Sequence, residues 1–253
     1  MIGLLHNEWL KSWYGRKMWL FSFIMLILVA GSVGISLFAQ FNMSDAITAQ
    51  GFAEVSVFLF PMFVMIYGVI LIAGAIAGEH VNGTIKQLLI RPASRSTLLA
   101  SKWLGNALFS TLLFFLLIGI TTAVGLLVFT SDGTSATTIL NDMFSMGAYQ
   151  LPTMLFYMAL ATLIAVTTKS TALTIVITFA PMFFGSLLQM FIIRYEWSKW
   201  IVLTHIDFFN NYHQIGMMPG PFESMWASLG FLFAHIALFL LIAHIVFQKR
   251  DVL

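Results

Sequence analysis

The sequence predicts an all-α integral membrane protein with six transmembrane helices, and three observations carry that prediction. First, 60% of the 253 residues are hydrophobic and only 9% are charged, with a mean hydropathy of +0.94. Water-soluble domains carry about 25% charged residues, so that class is excluded. Second, six stretches contain no Lys, Arg, Asp or Glu: 18–44, 55–78, 103–131, 143–168, 170–193 and 224–248. A helix needs about 20 residues to cross a ~30 Å hydrocarbon core, and every stretch exceeds that. Third, the stretches do not alternate polar with apolar residues, so they read as helices and not as barrel strands.

Taken in order, residues 1–17 predict an interfacial helix and the spans fall near 19–39, 56–78, 103–129, 148–168, 171–193 and 226–247, in a single domain covering 1–253. In the first segment Ile2, Leu5, Trp9 and Trp13 recur at helical spacing, while Asn7, Glu8 and Lys11 fall elsewhere on the wheel. Aromatic groups beside cations suit a helix lying in the membrane interface. The first span is too long for the apolar core of a secretory signal and no small-x-small cleavage site follows it. With six spans, ten of the twelve Lys and Arg fall on one side: Lys11, Arg16, Lys17, Lys86, Arg91, Arg95, Lys102, Lys169, Lys249 and Arg250. The other side has only Arg194 and Lys199. The positive-inside rule then places both termini in the cytoplasm.

Within the spans, Gly74 and Gly78 beside Ala73 and Ala77 form a small-residue face for helix packing. Pro61, Pro152 and Pro181 each remove a backbone donor, and Pro181, near the middle of its span, should bend its helix most. No Lys, Arg, Asp or Glu lies inside a span, whereas ion-coupled carriers and voltage sensors place such groups there. His235 and His244 are the ionisable exceptions. They face opposite sides of one helix, cannot share a metal, and each reads as a neutral imidazole bonded to a neighbouring helix. A carrier built this way needs energy from outside the membrane. The absence of Cys excludes disulfides, Cys-ligated zinc and thiol nucleophiles.

The connection "GEHVNGTIKQLLIRPASR", residues 78–95, is the most elaborate on the cation-rich side. Glu79 closes the second span, Asn82 can cap a short helix, Gly83 lets the chain turn into it, and Pro92 stops it. Between them Ile85, Leu88 and Leu89 share a face that Lys86 and Gln87 avoid. Such a turn and a half can rest on lipid or dock in a groove on a cytoplasmic protein. Ser94 or Ser96 can cap the helix that follows. Glu79-x-x-x-Gly83-Thr84, then Leu88-Leu89, Arg91-Pro92-x-Ser94-Arg95 and Lys102, resemble the cytoplasmic loop of ABC transporter permeases of the type-2 export class. The resemblance covers the whole chain. It implies a short coupling helix between spans 2 and 3 seated on a separate cytoplasmic ATP-binding subunit, which would hold ATP and Mg. It also implies a second permease copy or a related permease, a bacterial cytoplasmic membrane, and coupling roles for Glu79, Gly83, Thr84, Ile85, Leu88, Leu89, Arg91 and Arg95. The chain has no G-x-x-x-x-G-K-[ST] of its own, so no enzymatic activity is expected on it.

Thr171, Thr174, Thr178, Gly185 and Gln189 form a mildly polar stripe on the fifth span. It reads as helix packing or, by the resemblance, as part of a substrate path (Thr171, Thr174, Thr178, Gln189) for a lipophilic or amphipathic cargo such as an antimicrobial peptide or drug. The aromatic connection 194–223 suits an interfacial or re-entrant segment, which the resemblance also implies; His205, Asp207, Phe208 and Phe209 form its candidate outer gate. His205, Asp207 and His213 match no zinc spacing. The alternatives are a membrane protein that gives immunity by sequestration without transport, and a six-span intramembrane protease. The protease lacks support: there is no G-x-S-x-G and no H-E-x-x-H, Glu79-His80 having no second His at the required distance.

Overall fold

Each charge-free run forms a helix, and most of the helices extend beyond the run at one end or both, usually at its start. The computed structural model describes residues 2–43, 47–81, 94–213 and 220–249. Helix α1 (Ile2–Tyr14) leads into α2 (Arg16–Met43), followed by α3 (Ala49–Val81), α4 (Arg95–Val128), α5 (Ala136–Thr168) and α6 (Thr171–Ile192). A 3-10 turn (Glu196–Trp200) and two short helices, α7 (Val202–Ile206) and α8 (Phe208–Tyr212), precede α9 (Met225–Lys249). Six helices, α2 to α6 and α9, are long and apolar enough to cross a membrane. The protein is a multi-pass membrane protein.

At 1.5 Å per residue, helices of 33 or 34 residues run ~50 Å, well beyond the hydrocarbon core. Helix α4 therefore starts eight residues before the predicted span and carries Arg95 and Lys102 within it. Serines set the helix starts: Ser94, Ser135 and Ser170 accept from the backbone N–H of Thr97, Thr138 and Leu173. Each satisfies one of the orphaned donors of a first turn. Of the two candidate caps for α4, Ser94 does the work and Ser96 is bonded elsewhere. Between α5 and α6, Lys169 adopts a left-handed φ of 54°, which closes α5 and allows a two-residue turn.

Burial sorts the helices into centre and periphery. Over an 18-residue apolar stretch of each helix, 61% of α5 and 50% of α3 are buried, against 11% in α2 and in α6. Small side chains let α3 and α5 sit centrally: Ala53, Ala73 and Ala77 on α3, Ala159, Ala161 and Ala165 on α5, all fully buried. On the small-residue face of α3 the alanines lie deepest; Gly74 and Gly78 sit further out, beside Lys17 and Thr171. Apolar helices gain little from each other over lipid tails, so van der Waals packing of this kind has to hold them together.

The prolines do not interrupt their helices. Pro61 has no N–H for the carbonyl of Val57, one turn back, and the Gln150 amide of α5 donates to that oxygen at 2.8 Å. The pairing repairs the gap that proline leaves in a medium without water.

Candidate functional site

Four charged side chains converge where α3 ends and α4 begins. Lys102 Nζ of α4 lies 2.7 Å from Glu79 Oε1 of α3 and 3.4 Å from Glu8 Oε1 of α1. Lys11 Nζ lies 3.3 Å from each of the same two oxygens. Lys102 and Glu8 are buried, Glu79 is nearly so, and Lys11 is half exposed. Two carboxylates and two ammoniums leave the cluster neutral, which is the condition under which buried charge is tolerable. Burial opposes the charge on Lys11, but the Glu8 and Glu79 carboxylates outweigh it and hold its pKa above the ordinary lysine value.

The cluster requires α1 to present its polar side to the bundle. Glu8 and Ser12 are the buried residues of α1, whereas Leu10, Trp13 and Tyr14 are exposed. Helix α1 thus turns Trp13 and Tyr14 outward and its polar stripe against α4. Ser12 donates to Asn106 Oδ1 at 3.2 Å, and Trp9 meets Phe109 edge to face. Gly105 makes the approach possible: a Cβ there would stand 3.1 Å from Glu8 Cβ. About two turns before Lys102 on α4, Arg95 donates to the Gln248 carbonyl near the end of α9 at 3.2 Å, where a cation meets the negative end of the helix. Ser96 faces His244, and Gln248 donates to Ser96.

Of the coupling residues read from the sequence, Glu79 and Arg95 are in place at the two roots of the connection. Gly83, Thr84, Ile85, Leu88, Leu89 and Arg91 lie outside the described residues, as do Asn82, Lys86, Gln87 and Pro92. Glu8, Lys11 and Lys102 were not among the expected site residues. A signal existed in the sequence: on the side with ten cations, the acidic residues are only Glu8, Glu79 and Asp251.

On the opposite side of the bundle, the connection after α6 packs against the middle of α5 and the ends of α6 and α9. Thr153 of α5 donates to the Ile206 carbonyl and Gln189 of α6 to that of Leu203. His205 is fully buried between Phe222 and Phe231. Its Nε2 lies 2.8 Å from the Lys199 carbonyl, which can only accept, so Nε2 carries the proton and Nδ1 accepts from the Ser228 hydroxyl. Burial pushes the His205 pKa below the ordinary value; the Lys199 carbonyl opposes this and His235 adds to it. Asp207 caps α8, and Phe208 and Phe209 are buried, Phe208 stacking on Tyr149. Among the described residues no group of three or more His, Asp or Glu could hold a metal ion.

The polar stripe of α6 faces its own bundle. Thr174, Thr178 and Gly185 are buried, and Thr174 bonds back to the Ser170 carbonyl at 2.7 Å. The outward face carries Val176, Phe184, Leu188 and Phe191. Thr171 lies at the start of the helix beside Gly78, and Gln189 lines a cavity near its end. The two histidines of α9 differ: His244 faces Ser96 of α4, but His235 donates to Phe231 of its own helix and, among the described residues, not to a neighbouring helix.

These features define a six-span membrane protein with an ionic cluster at one end and a folded cap at the other. Residues 19–253 match the family described as "Protein of unknown function (DUF2705)", and the chain belongs to that family. It is also similar to "Uncharacterized protein YhcI" of Bacillus subtilis (strain 168), 27% identical over 216 residues that take in 76% of this chain and 66% of the relative. The chain thus spans just under two thirds of that relative's length.

Proposed function

We propose that the chain is the membrane-spanning permease subunit of an ATP-driven exporter in a bacterial cytoplasmic membrane. In this reading both termini and the connection 82–93 lie in the cytoplasm, and ATP with Mg binds a separate subunit beneath. A second permease, identical or related, completes the pathway. The observation that carries the reading is the Glu8–Lys11–Glu79–Lys102 cluster at the base of the connection. A force applied to the connection would reach α3 and α4 together, because Glu79 and Lys102 are bonded across its two roots. Helix α1 would move with them through Glu8 and Lys11. Separating buried partners costs about 3–5 kcal/mol when one charge is left unpaired, so the joint would transmit motion before it broke.

The remaining parts take roles consistent with this. The segment 194–223 would be the re-entrant outer gate, with His205, Asp207, Phe208 and Phe209 at its centre. The cargo would be lipophilic, an antimicrobial peptide or drug, and the activity one of efflux or self-immunity. Cysteine cross-linking tests the docking: Leu88→Cys or Leu89→Cys, with a cysteine in the cleft of the proposed ATP-binding subunit, should form a nucleotide-sensitive disulfide. Cross-linking that never exceeds that of a cysteine placed on the outer side, such as Glu196→Cys, would count against the reading.

A further inference from the structure

A cavity of about 300 Å³ lies inside the single chain, between α3, α5 and α6, with α7 and α8 closing one end. Its apolar wall is built from Met62, Met65, Met154 and Met182 together with aromatic rings. Thioethers adapt to ligands of varied shape, and ring faces present negative charge. The polar wall is rich in acceptors. Gln150 uses one N–H on the Val57 carbonyl and Gln189 one on that of Leu203, each amide keeping a second N–H. A carbonyl can be met only by the NH2 end of an amide, so the oxygen of each is left over as well. Thr153 likewise donates its hydrogen to the Ile206 carbonyl.

Asn210 donates to Asp207 Oδ2 at 2.6 Å, and its own Oδ1 is buried without a hydrogen-bond partner among the described residues. The Asp207 carboxylate accepts from the backbone and side-chain N–H groups of Asn210, and among the described residues it has no other hydrogen-bond or ion-pair partner. The cavity thus gathers spare acceptors, one carboxylate and aromatic faces, with the hydroxyls of Tyr157 and Ser186 able to act in either sense. An anion would meet repulsion and a neutral hydrocarbon would strand the acceptors. We infer that this cavity binds a lipophilic organic ammonium, its cationic head on Asp207 and the amide oxygens and its apolar body among the methionines.

The site would give the proposed exporter a place that selects cationic cargo, but binding itself needs neither ATP nor a partner. Its failure and the failure of the transport reading are therefore separable. The test uses the purified full chain in lipid nanodiscs, titrated with 4-phenylbutylammonium, 4-phenylbutanol and 4-phenylbutyrate, with signal from empty nanodiscs subtracted. The ammonium should bind at least tenfold tighter than the alcohol, and the carboxylate should not bind. Asp207→Asn keeps a good helix cap and should bring the ammonium down to the affinity of the alcohol. Met182→Trp, or Ser186→Trp from the same wall if that variant does not fold, should weaken ammonium and alcohol together. Equal binding of ammonium and alcohol would overturn the inference. So would unchanged ammonium binding in Asp207→Asn or in both tryptophan variants.

Discussion

Lys102 is held by two carboxylates from two other helices, and its substitution shows what the cluster contributes. Lys102→Met would leave Glu79 and Glu8 facing each other beside Lys11 alone. Stranding buried charge costs about 3–5 kcal/mol, so thermal unfolding in detergent should occur at a clearly lower temperature. The exchange Glu79→Lys with Lys102→Glu should recover a large part of that loss; recovery no better than the sum of the single variants would mean the pair is not coupled. His205 makes a second prediction at this scale. An unfolded histidine titrates near pH 6.5, whereas the buried His205 holds a lower pKa. Above pH 6.5 both states are neutral and stability is complete. As pH falls below it, the unfolded chain takes a proton that the native site refuses, and stability declines. The unfolding temperature should drop between pH 7.5 and 5.5, and His205→Gln should flatten that drop. An equal drop in wild type and variant would assign the effect to other groups.

At the scale of elements, charge exclusion was legible because lipid forbids unpaired charge along a contiguous run, a signal confined to one dimension. The helix limits were less legible. Arg95 and Lys102 looked like the border of a span, but both stand inside α4, one bonded to the end of α9 and the other to Glu8 and Glu79. The orientation of α1 was also hidden in sequence, since the partner that draws Glu8 inward lies 94 residues away. Gly105 is where that orientation can be tested. Gly105→Leu would drive a side chain into Glu8 and Leu5, lift α1 from α4 and expose the segment near Gly15 to protease; unchanged proteolysis would show that α1 docks elsewhere. In the interior, Gln150→Leu would leave the Val57 carbonyl unpaired beside Pro61. Such contacts in membranes are worth about 1 kcal/mol, so a small but measurable fall in unfolding temperature is expected, and no fall at all would mean that another group serves that carbonyl.

The whole molecule combines a buried central pair, α3 and α5, with peripheral helices whose outward faces are apolar. Phe23, Ile27 and Phe38 on α2 and Phe184 and Leu188 on α6 are exposed, surfaces that lipid or a second permease would cover. The proposed function lives at this scale, where a motion of the connection 82–93 has to become a motion of α3, α4 and α1 as one body. ATP hydrolysis by the reconstituted complex tests that claim most directly. The chain should copurify with an ATP-binding subunit from its own organism and raise that subunit's turnover of ATP. Leu88→Asp with Leu89→Asp should abolish both effects, and Lys102→Met should keep association while reducing the rise in turnover at least fivefold. An ATP-binding subunit that never associates, or one whose turnover is the same with wild type and with both variants, would contradict the account.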